Sequence, residues 1–434
     1  MVWGKKQGVD DLVQKLSRNE TGETMLILSN RSFGDKETIA FCKALATNTS
    51  LKELLCSGHP IGEEGAKNFR DALANNKSLT KLGLGNSNFG DKGVAALFAN
   101  WENSTLTHIE LEYKSLGQGA MEAISSALQR ENALESILLG RNGLNDTHVE
   151  VLSKGIQASP SINHICLKSN VLSATGCKHV GDSLRLRDCE GFKLALDDNE
   201  RIGCEGLETL VSGNGTGPVV TEMSLSGCGI GDDGVQALCA SMTAKGSCFS
   251  SLQVLNISRN KLTESSAEAF GNALKHNEKL RKLYLARNAI KVDGFFKLSQ
   301  NLGKLQLLDL SANGITSEDS GVLDSIMVNI AKSGLVELRL LGNKIGDAGA
   351  LVVCKGLRAN TTIKHLSLAG IELTAKGCEA ILSELESNTD TALRILELGS
   401  NDLGDEGRLL VENFREKRPD IDVAMDKQGN TAEQ

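Results

Sequence analysis

Leu280-Arg-Lys-Leu283-Tyr-Leu285-Ala-Arg-Asn288-Ala-Ile290 combines a short apolar alternation with an asparagine three residues after it. The Leu283-Tyr-Leu285 triplet has the two-residue period of a strand that buries one face. The side-chain amide of Asn288 can donate and accept hydrogen bonds, which suits a chain that leaves a strand and turns. The segment therefore predicts a strand, a turn, and the return of Ile290 to an apolar core.

The same frame recurs along most of the chain, with clear copies at 252–262, 335–345 and 393–403. The copies are spaced 25 to 32 residues apart, and most spacings lie near 28. A period of that length indicates a repeat array rather than a set of independent domains. The second apolar position of each predicted strand gives 14 copies: Leu28, Cys56, Leu84, Leu111, Leu139, Leu167, Leu196, Leu225, Ile257, Leu285, Leu310, Leu340, Leu368 and Leu398.

A helix is predicted after each turn. In the most regular copies a Gly-Asp pair follows the turn, as at Gly346-Asp347 and Gly404-Asp405, and Asp suits a helix N-cap. Apolar residues with helical spacing follow, until Asn360 ends the run in one copy. We therefore predict an α/β fold of about 14 strand–helix repeats, a right-handed solenoid with a parallel concave sheet and convex helices.

The phrase N-x-I-G-D-x-G-A at 343–350 resembles the ribonuclease-inhibitor type of leucine-rich repeat. It is similar to the repeats of that inhibitor, of NOD-like receptor C-terminal domains and of Ran GTPase-activating proteins. The resemblance covers residues 22–417 and implies a horseshoe-shaped leucine-rich-repeat solenoid. It implies a fold more than a function, because one fold serves many partners.

The ends of the array are predicted to differ from its middle. Residues 1–21 contain a short amphipathic helix at 9–19 that covers the open end of the stack, with a lipid-surface helix as the alternative. Residues 22–417 form the solenoid. Residues 418–434 contain a closing strand at 421–423 and a frayed tail at 424–434. The asparagine position holds Arg31, His59, Ser87 and Lys114 in the first four copies, so we expect a less regular N-terminal third.

Composition excludes several classes of function. A formal net charge of −8 argues against a general nucleic-acid or anionic-membrane binder. No apolar run is long enough to span a bilayer, and the first residues lack the apolar region of a signal peptide. Eleven cysteines without a C-x-x-C pair indicate reduced, buried thiols in a cytoplasmic protein. The sequons at Asn76 and Asn360 are interpreted as helix ends that precede the next strand.

The sequence contains no constellation typical of an enzyme, and we predict no catalytic residue, cofactor or metal site. The phosphate-loop, metalloprotease and serine-hydrolase motifs are absent. His164 and Cys166 share one strand face, which leaves a Cys–His nucleophile pair as an alternative to simple surface residues. The glycine-rich stretch 212–218 follows a helix and precedes a strand, so we interpret it as a flexible connection rather than a phosphate loop.

The exposed columns of the concave sheet are the predicted protein-binding surface, because repeat proteins use such extended surfaces for binding. Two zones place a Tyr among charges, and Tyr and Arg are enriched at binding hot spots. Cross-strand charge pairs that serve only the sheet are the alternative. The N-terminal zone comprises Glu110, Glu112, Tyr113, Arg141, Lys168, Asp197 and Asp198. The C-terminal zone comprises Arg259, Lys282, Tyr284, Arg287, Asp309, Glu337 and Arg339.

We predict a non-catalytic scaffold or adaptor that binds a protein partner, with no nucleic acid and no membrane. Residues 139–145 resemble the G-R-N-x-L-x-N phrase of Ran GTPase-activating proteins, which implies that Arg141 and Asn142 lie near a small GTPase. The R-N pair recurs at 259–260 and 287–288, so it also fits the repeat pattern alone. A third interpretation is a structural subunit of a cytoskeletal or axonemal assembly.

Overall fold

The computed structural model describes residues 2–3, 9–20, 24–28, 33–101, 105–130, 132–187, 191–213, 215, 219–318 and 320–425. Four predictions fall at least partly outside these ranges: Arg31 at the first asparagine position, Cys189 among the eleven buried thiols, most of the stretch 212–218, and the tail from residue 426 onward. The chain forms two compact units, Met1–Thr221 and Glu222–Gln434.

The first unit alternates strands and helices along its described length. Its elements are β1 Val2–Trp3, α1 Val9–Ser17, β2 Met25–Leu28, α2 Asp35–Thr47, β3 Glu53–Ser57, α3 Glu63–Asn75, β4 Lys81–Gly85, α4 Gly90–Phe98, β5 His108–Glu110, α5 Gln118–Leu128, β6 Ser136–Leu138, α6 Asp146–Ala158, β7 His164–Cys166, α7 Ala174–Arg185, β8 Phe192–Ala195 and α8 Gly203–Val211. Strands β1 to β8 pair in parallel and in chain order.

The second unit repeats the same alternation. Its elements are β9 Val220–Ser224, which begins two residues before the boundary, α9 Asp232–Thr243, β10 Val254–Asn256, α10 Glu264–Leu274, β11 Lys282–Tyr284, α11 Lys291–Ser299, β12 Leu307–Asp309, α12 Ser320–Ala331, β13 Glu337–Arg339, α13 Gly346–Gly356, the 3-10 helix Leu357–Ala359, β14 His365–Ser367, α14 Ala375–Ser387, β15 Ile395–Glu397, α15 Gly404–Lys417 and β16 Asp422–Ala424. Strands β9 to β16 also pair in parallel and in chain order.

The predicted strand–helix repeats are confirmed. All 14 marker positions are buried, and each lies within the last two residues of a strand, β2 to β15, or directly after the strand. The N-terminal helix and the closing strand are also present, the strand at 422–424 rather than 421–423. Helix α11, in the shortest repeat, has 9 residues, the same length as α4 and α8. Strand β1, which pairs with β2, was not expected from the sequence.

Each short strand has one buried face and one open face. The central residue of the strand, such as Leu283 or Leu338, is fully buried against the helices. The residues before and after it point the other way, because side chains alternate along a strand. In each unit we call the surface formed by these flanking residues the open face. It is the predicted concave surface, and it carries the candidate site.

The asparagine after each regular strand supports the turn with its side-chain amide. In the second unit Asn343 Nδ2 donates to Leu310 O at 2.9 Å and to Leu340 O at 2.8 Å. Its Oδ1 accepts from the backbone N–H groups of Asn313 and Ile315 at 2.9 and 3.0 Å. The amides of Asn142, Asn170, Asn199, Asn260, Asn288, Asn313 and Asn401 also donate to strand-end carbonyls. The expected role of this residue is confirmed.

In repeats without the asparagine, the backbone groups of the turn find other hydrogen-bond partners. His59 replaces it with a ring nitrogen, Nε2, which lies 3.0 Å from Leu28 O. Lys114 is buried, and its backbone N–H donates to Asn142 Oδ1 at 2.7 Å. Cys228 likewise donates its backbone N–H to Asn260 Oδ1, at 2.9 Å. One neighbouring asparagine can therefore stabilise a repeat that lacks its own.

The Gly-Asp aspartate does not cap its own helix, and that prediction was wrong. Helix α13 begins at Gly346 with Ile345 at the N-cap, so Asp347 lies inside the first turn. Its carboxylate accepts from Thr374 N at 2.8 Å and from Thr374 Oγ1 at 2.6 Å, in the repeat that follows. Asp35, Asp91, Asp146 and Asp232 do the same for the next helix in their own unit. The aspartate links neighbouring helix N-termini because the helices stack side by side.

Asp232→Asn is expected to lower the free energy of unfolding by about 1 kcal/mol at pH 7, because a charged cap is replaced by a neutral one at a solvent-screened site. Partial burial alone would raise the pKa of the Asp232 carboxyl, but hydrogen bonds from Ser266 and Thr263 outweigh it and lower the pKa. A carboxyl with a lowered pKa stabilises the folded state above its unfolded pKa, and this contribution disappears as the pH falls below about 4.

The measurement is urea unfolding of the wild type, Asp232→Asn and the exposed control Asp233→Asn at pH 7 and again near pH 3. The loss in free energy of unfolding caused by Asp232→Asn should be smaller at the lower pH. Asp233→Asn should have the stability of the wild type at both pH values. An Asp232→Asn deficit that does not change with pH would contradict the proposed charged link.

A second set of amides closes the helix C-termini. Asn76 donates to Leu45 O at 2.6 Å and accepts from Leu79 N at 2.7 Å, and Asn360 accepts from Ile363 N at 2.7 Å. Both side chains are buried, which confirms that these sequons are helix ends. In the repeat after α7, Arg187 takes the place of the asparagine. Its buried guanidinium donates to the carbonyls of Ile156, Ser159 and Ile162.

Candidate protein-binding surface

The open face of the second unit carries two columns of side chains. The first column contains, in register, Glu222, Val254, Lys282, Leu307, Glu337, His365 and Ile395. The second contains Ser224, Asn256, Tyr284, Asp309, Arg339, Ser367 and Glu397. Parallel pairing sets like positions of adjacent strands about 4.8 Å apart, so side chains of one column contact each other.

Arg339 joins two carboxylates at the centre of this face. Its Nε lies 2.6 Å from Glu337 Oε1 on the same strand, and its guanidinium lies 3.8 Å from Asp309 Oδ2 on the preceding strand. Burial raises the pKa of the Asp309 carboxyl, although the hydrogen bonds from Ser311 and the charge of Arg339 oppose the rise. Burial alone would lower the pKa of Arg339, but Glu337 and Asp309 outweigh it and raise the pKa.

His365 extends this cluster, and the sequence analysis did not select it. Its Nδ1 lies 3.3 Å from Glu337 Oε1, and its Nε2 lies 3.0 Å from Glu397 Oε1. The hydrogen bond from His365 lowers the pKa of the Glu397 carboxyl. His365 is in register with Glu337, so a search of the first column would have found it. We call Asp309, Glu337, Arg339, His365 and Glu397 the charged ladder.

Tyr284 borders the charged ladder. It is half-buried and in register with Asp309. Burial raises the pKa of its phenol, and the charges of Glu337 and Asp309 add to the rise while Arg339 opposes it. Within the described part of the chain the Tyr284 hydroxyl forms no hydrogen bond. It is therefore a neutral donor and acceptor available at the surface.

The remaining cations of the C-terminal zone lie at its N-terminal side. Lys282 shares strand β11 with Tyr284, two residues before it, and is exposed. Arg259 and Arg287 are exposed and follow β10 and β11, each with a positive φ, 59° and 55°. The structure therefore places all seven residues of the C-terminal zone on one face or at its edge. It brings Asp309, Glu337 and Arg339 into direct contact.

The N-terminal zone divides into separate pairs. Glu110 lies 2.8 Å from Lys81 Nζ, a residue that the sequence analysis did not select. Glu112 lies 3.1 Å from Lys168 Nζ, and the Arg141 guanidinium donates to the Tyr113 hydroxyl at 2.8 Å. The same guanidinium lies 5.1 Å from the centre of the Tyr113 ring. Asp197 and Asp198 are half-buried after β8.

The recurring R-N pair has a structural explanation. Arg141, Arg259 and Arg287 all have a positive φ, 58°, 59° and 55°, at the turn that leaves the strand. The asparagine that follows each of them donates to strand-end carbonyls. The Asn142 amide is therefore occupied by the turn, whereas the Arg141 side chain of the same pair is exposed.

The structure does not support the Cys–His alternative. Burial raises the pKa of the Cys166 thiol, which opposes formation of a thiolate. His164 Nδ1 lies 2.9 Å from Ser136 Oγ rather than on the thiol. Among the described residues, no group of three or more His, Cys, Asp or Glu side chains could hold a metal ion. No helix in the same ranges is long and apolar enough to cross a membrane.

Comparison with protein families finds the same repeats. A model of the leucine-rich repeat matches residues 75–98, 218–239 and 389–410, and a second one matches 251–273. The chain is 31% identical to the ribonuclease inhibitor of Sus scrofa over 286 residues, 64% of this chain and 61% of the inhibitor. It is 29% identical to NACHT, LRR and PYD domains-containing protein 3 of Bos taurus over 322 residues, 72% of this chain and 28% of that protein. The chain thus spans less than two thirds of either relative.

Among solved structures, the chain is similar to one in the crystal structure of the Rad7 and Elc1 complex of yeast. The TM-score is 0.51 at 15% sequence identity, over 96% of this chain and 88% of the other. At that identity the similarity shows the fold alone.

Proposed function

Because the chain is a leucine-rich-repeat protein of the ribonuclease-inhibitor type, we propose that it is a non-catalytic scaffold or adaptor that binds a protein on its open face. The pig relative is, by its name, an inhibitor of ribonuclease, which supports a protein as the class of partner. The contact surface proposed here is the C-terminal zone with the charged ladder beside it.

The observation that carries this proposal is the fixed geometry of the charged ladder around Arg339. Its side chains are held by hydrogen bonds of 2.6 and 3.0 Å and are only partly exposed. Side chains that are already ordered lose less conformational entropy on binding than free surface side chains do. Tyr284, with an available hydroxyl beside them, supplies the contact area typical of a hot spot.

We also propose that the protein works in the cytoplasm. Of the ten cysteines in the described ranges, nine are buried. Burial raises the pKa of the thiols of Cys239 and Cys354 to about 12, so these thiols stay protonated and unreactive at neutral pH. Core thiols of this kind suit a reducing compartment.

The test is affinity capture from native cytosol with the wild type and the double variant Tyr284→Ala/Arg287→Glu. Loss of a hot-spot tyrosine typically costs 2 kcal/mol or more, so we expect capture of the physiological partner to weaken by about 30-fold. The control Lys376→Ala changes an exposed lysine on α14 and should leave capture unchanged. Equal capture of every partner by the wild type and the double variant would contradict the proposed face.

A GTPase activator is the second candidate, and the observation that favours it is Arg141. The guanidinium is exposed and oriented by Tyr113, as a side chain that reaches toward a partner would be. This candidate requires a small GTPase among the captured proteins. It also requires that the wild type accelerate GTP hydrolysis and that Arg141→Ala does not.

A further inference from the structure

We propose that the C-terminal zone binds an acidic protein segment, whose Asp or Glu side chain docks on Lys282 and Tyr284 and is flanked by Arg287. This inference rests on the proposed function and adds the chemistry of the partner. It follows from which charges of the open face already have a counter-charge and which do not.

The carboxylates of the charged ladder are already paired. Asp309 and Glu337 both face Arg339, at 3.8 and 2.6 Å. Glu337 and Glu397 also face the two nitrogens of His365, at 3.3 and 3.0 Å. A basic side chain of a partner would have to displace one of these contacts. The ladder therefore offers little to a basic partner.

The cations beside the charged ladder, Lys282 and Arg287, have no counter-charge among the described residues. Lys282 is exposed, and its neighbours in register are the apolar residues Val254 and Leu307. Arg287 is also exposed, and its backbone N–H is fixed by Ser311 O at 2.7 Å. Within the ranges that the structure describes, neither side chain forms an ion pair. Two cations without a counter-charge beside a paired network favour an anionic ligand.

Tyr284 supplies a directional donor at the same place. Residues two apart on a strand face the same way and lie about 7 Å apart, so Lys282 and Tyr284 present an ammonium and a hydroxyl side by side. The hydroxyl is free within the described residues, and the raised pKa of the phenol keeps it protonated. A carboxylate seated between the two can accept from both.

The surroundings of Lys282 favour a protein over a polyanion. Along the first column, Lys282 is flanked on each side by an apolar residue and then by a carboxylate: Glu222 and Val254 on one side, Leu307 and Glu337 on the other. Adjacent strands lie about 4.8 Å apart, so the two glutamates stand about 10 Å from Lys282 on either side. A continuous phosphate backbone or an anionic bilayer would be repelled there, whereas an acidic side chain next to apolar ones fits.

The experiment is a selection of displayed random peptides on three full-length proteins: the wild type, Lys282→Glu/Arg287→Glu and the helix-surface control Lys376→Glu. A peptide from the wild-type selection is then synthesised, and its affinity is measured by fluorescence anisotropy for all three and for Tyr284→Phe and Tyr284→Ala. We expect peptides rich in Asp or Glu on the wild type and the control. The double charge reversal should weaken binding by at least about 100-fold, and Tyr284→Phe by about fivefold.

The outcomes separate the two proposals. The selected peptides could instead be basic or apolar, with binding that is weakened by Tyr284→Ala but not by the charge reversal. That result would overturn the acidic partner and support the binding face. Peptides that none of the open-face substitutions weakens would contradict both. A selection that returns no acidic peptide would overturn the acidic partner. So would tight binding of the wild type to phosphatidylserine vesicles or single-stranded DNA, if Lys282→Glu abolishes that binding.

Discussion

Asn343→Ala is expected to lower the free energy of unfolding by about 4 kcal/mol. The side chain is 1% exposed and makes four hydrogen bonds to backbone groups, two as donor and two as acceptor. Alanine leaves Leu310 O, Leu340 O and the N–H groups of Asn313 and Ile315 without these partners. Each unpaired buried group costs about 1–3 kcal/mol, and some regain a partner by local rearrangement.

Two further variants test this explanation by denaturant unfolding. Asn343→Asp keeps the size and the two acceptor contacts but cannot donate, and it buries a charge, so it should be at least as destabilising as alanine. The exposed Asn272→Ala should change the stability by less than about 0.5 kcal/mol. An Asn343→Ala deficit no larger than that of Asn272→Ala would contradict the role given to this residue.

Arg187→Ala is expected to have a similar effect, a loss of about 4 kcal/mol in the first unit. The guanidinium is 3% exposed, donates to three backbone carbonyls and lies 5.5 Å from the centre of the Phe192 ring. Alanine leaves the end of α6 and the turn after it without donors, and it opens a cavity beside Phe192.

Lysine is the informative replacement at Arg187, because it keeps the charge but replaces the planar fork with a single ammonium. Arg187→Lys should recover less than half of the lost stability. Arg201→Ala, at an exposed site in the same unit, serves as the control. Full recovery by lysine in urea unfolding would show that charge, rather than the geometry of three simultaneous hydrogen bonds, is what the site requires.

The repeat pattern predicted the fold well, because the residues that define each strand and turn lie close together in the sequence. The alternation around Leu283 and the asparagine at 288 act within one repeat, so both can be recognised in a single copy. The partner of Asp347 lies 27 residues away, in the next repeat, and nothing in the local sequence names Thr374. Helix-capping rules assume that an aspartate serves its own helix, which is why they assigned it to the wrong helix.

The candidate site could be predicted only in part, because some of its features are local and others depend on contacts between repeats. The columns of exposed residues follow from the strand period, so the C-terminal zone was found from the sequence. Its contacts depend on register and side-chain reach, which the pattern does not specify. His365 lies in the same column as Lys282 and Glu337, but only its contacts with Glu337 and Glu397 mark it as part of the site. The asparagine of the R-N pair has a structural explanation, because the amide of Asn142 donates to carbonyls at the end of the strand.

The most direct test of the proposed binding face is site-specific photo-crosslinking in cells. A benzophenone amino acid replaces Val254, the neighbour of Lys282 in the first column, in one variant and Leu409, which is 58% exposed on α15, in another. We expect one dominant protein adduct from position 254, lost when Arg287→Glu is added, and no such adduct from position 409. Adducts from the helix position alone, or the same adducts from both positions, would contradict a partner on the open face of the second unit.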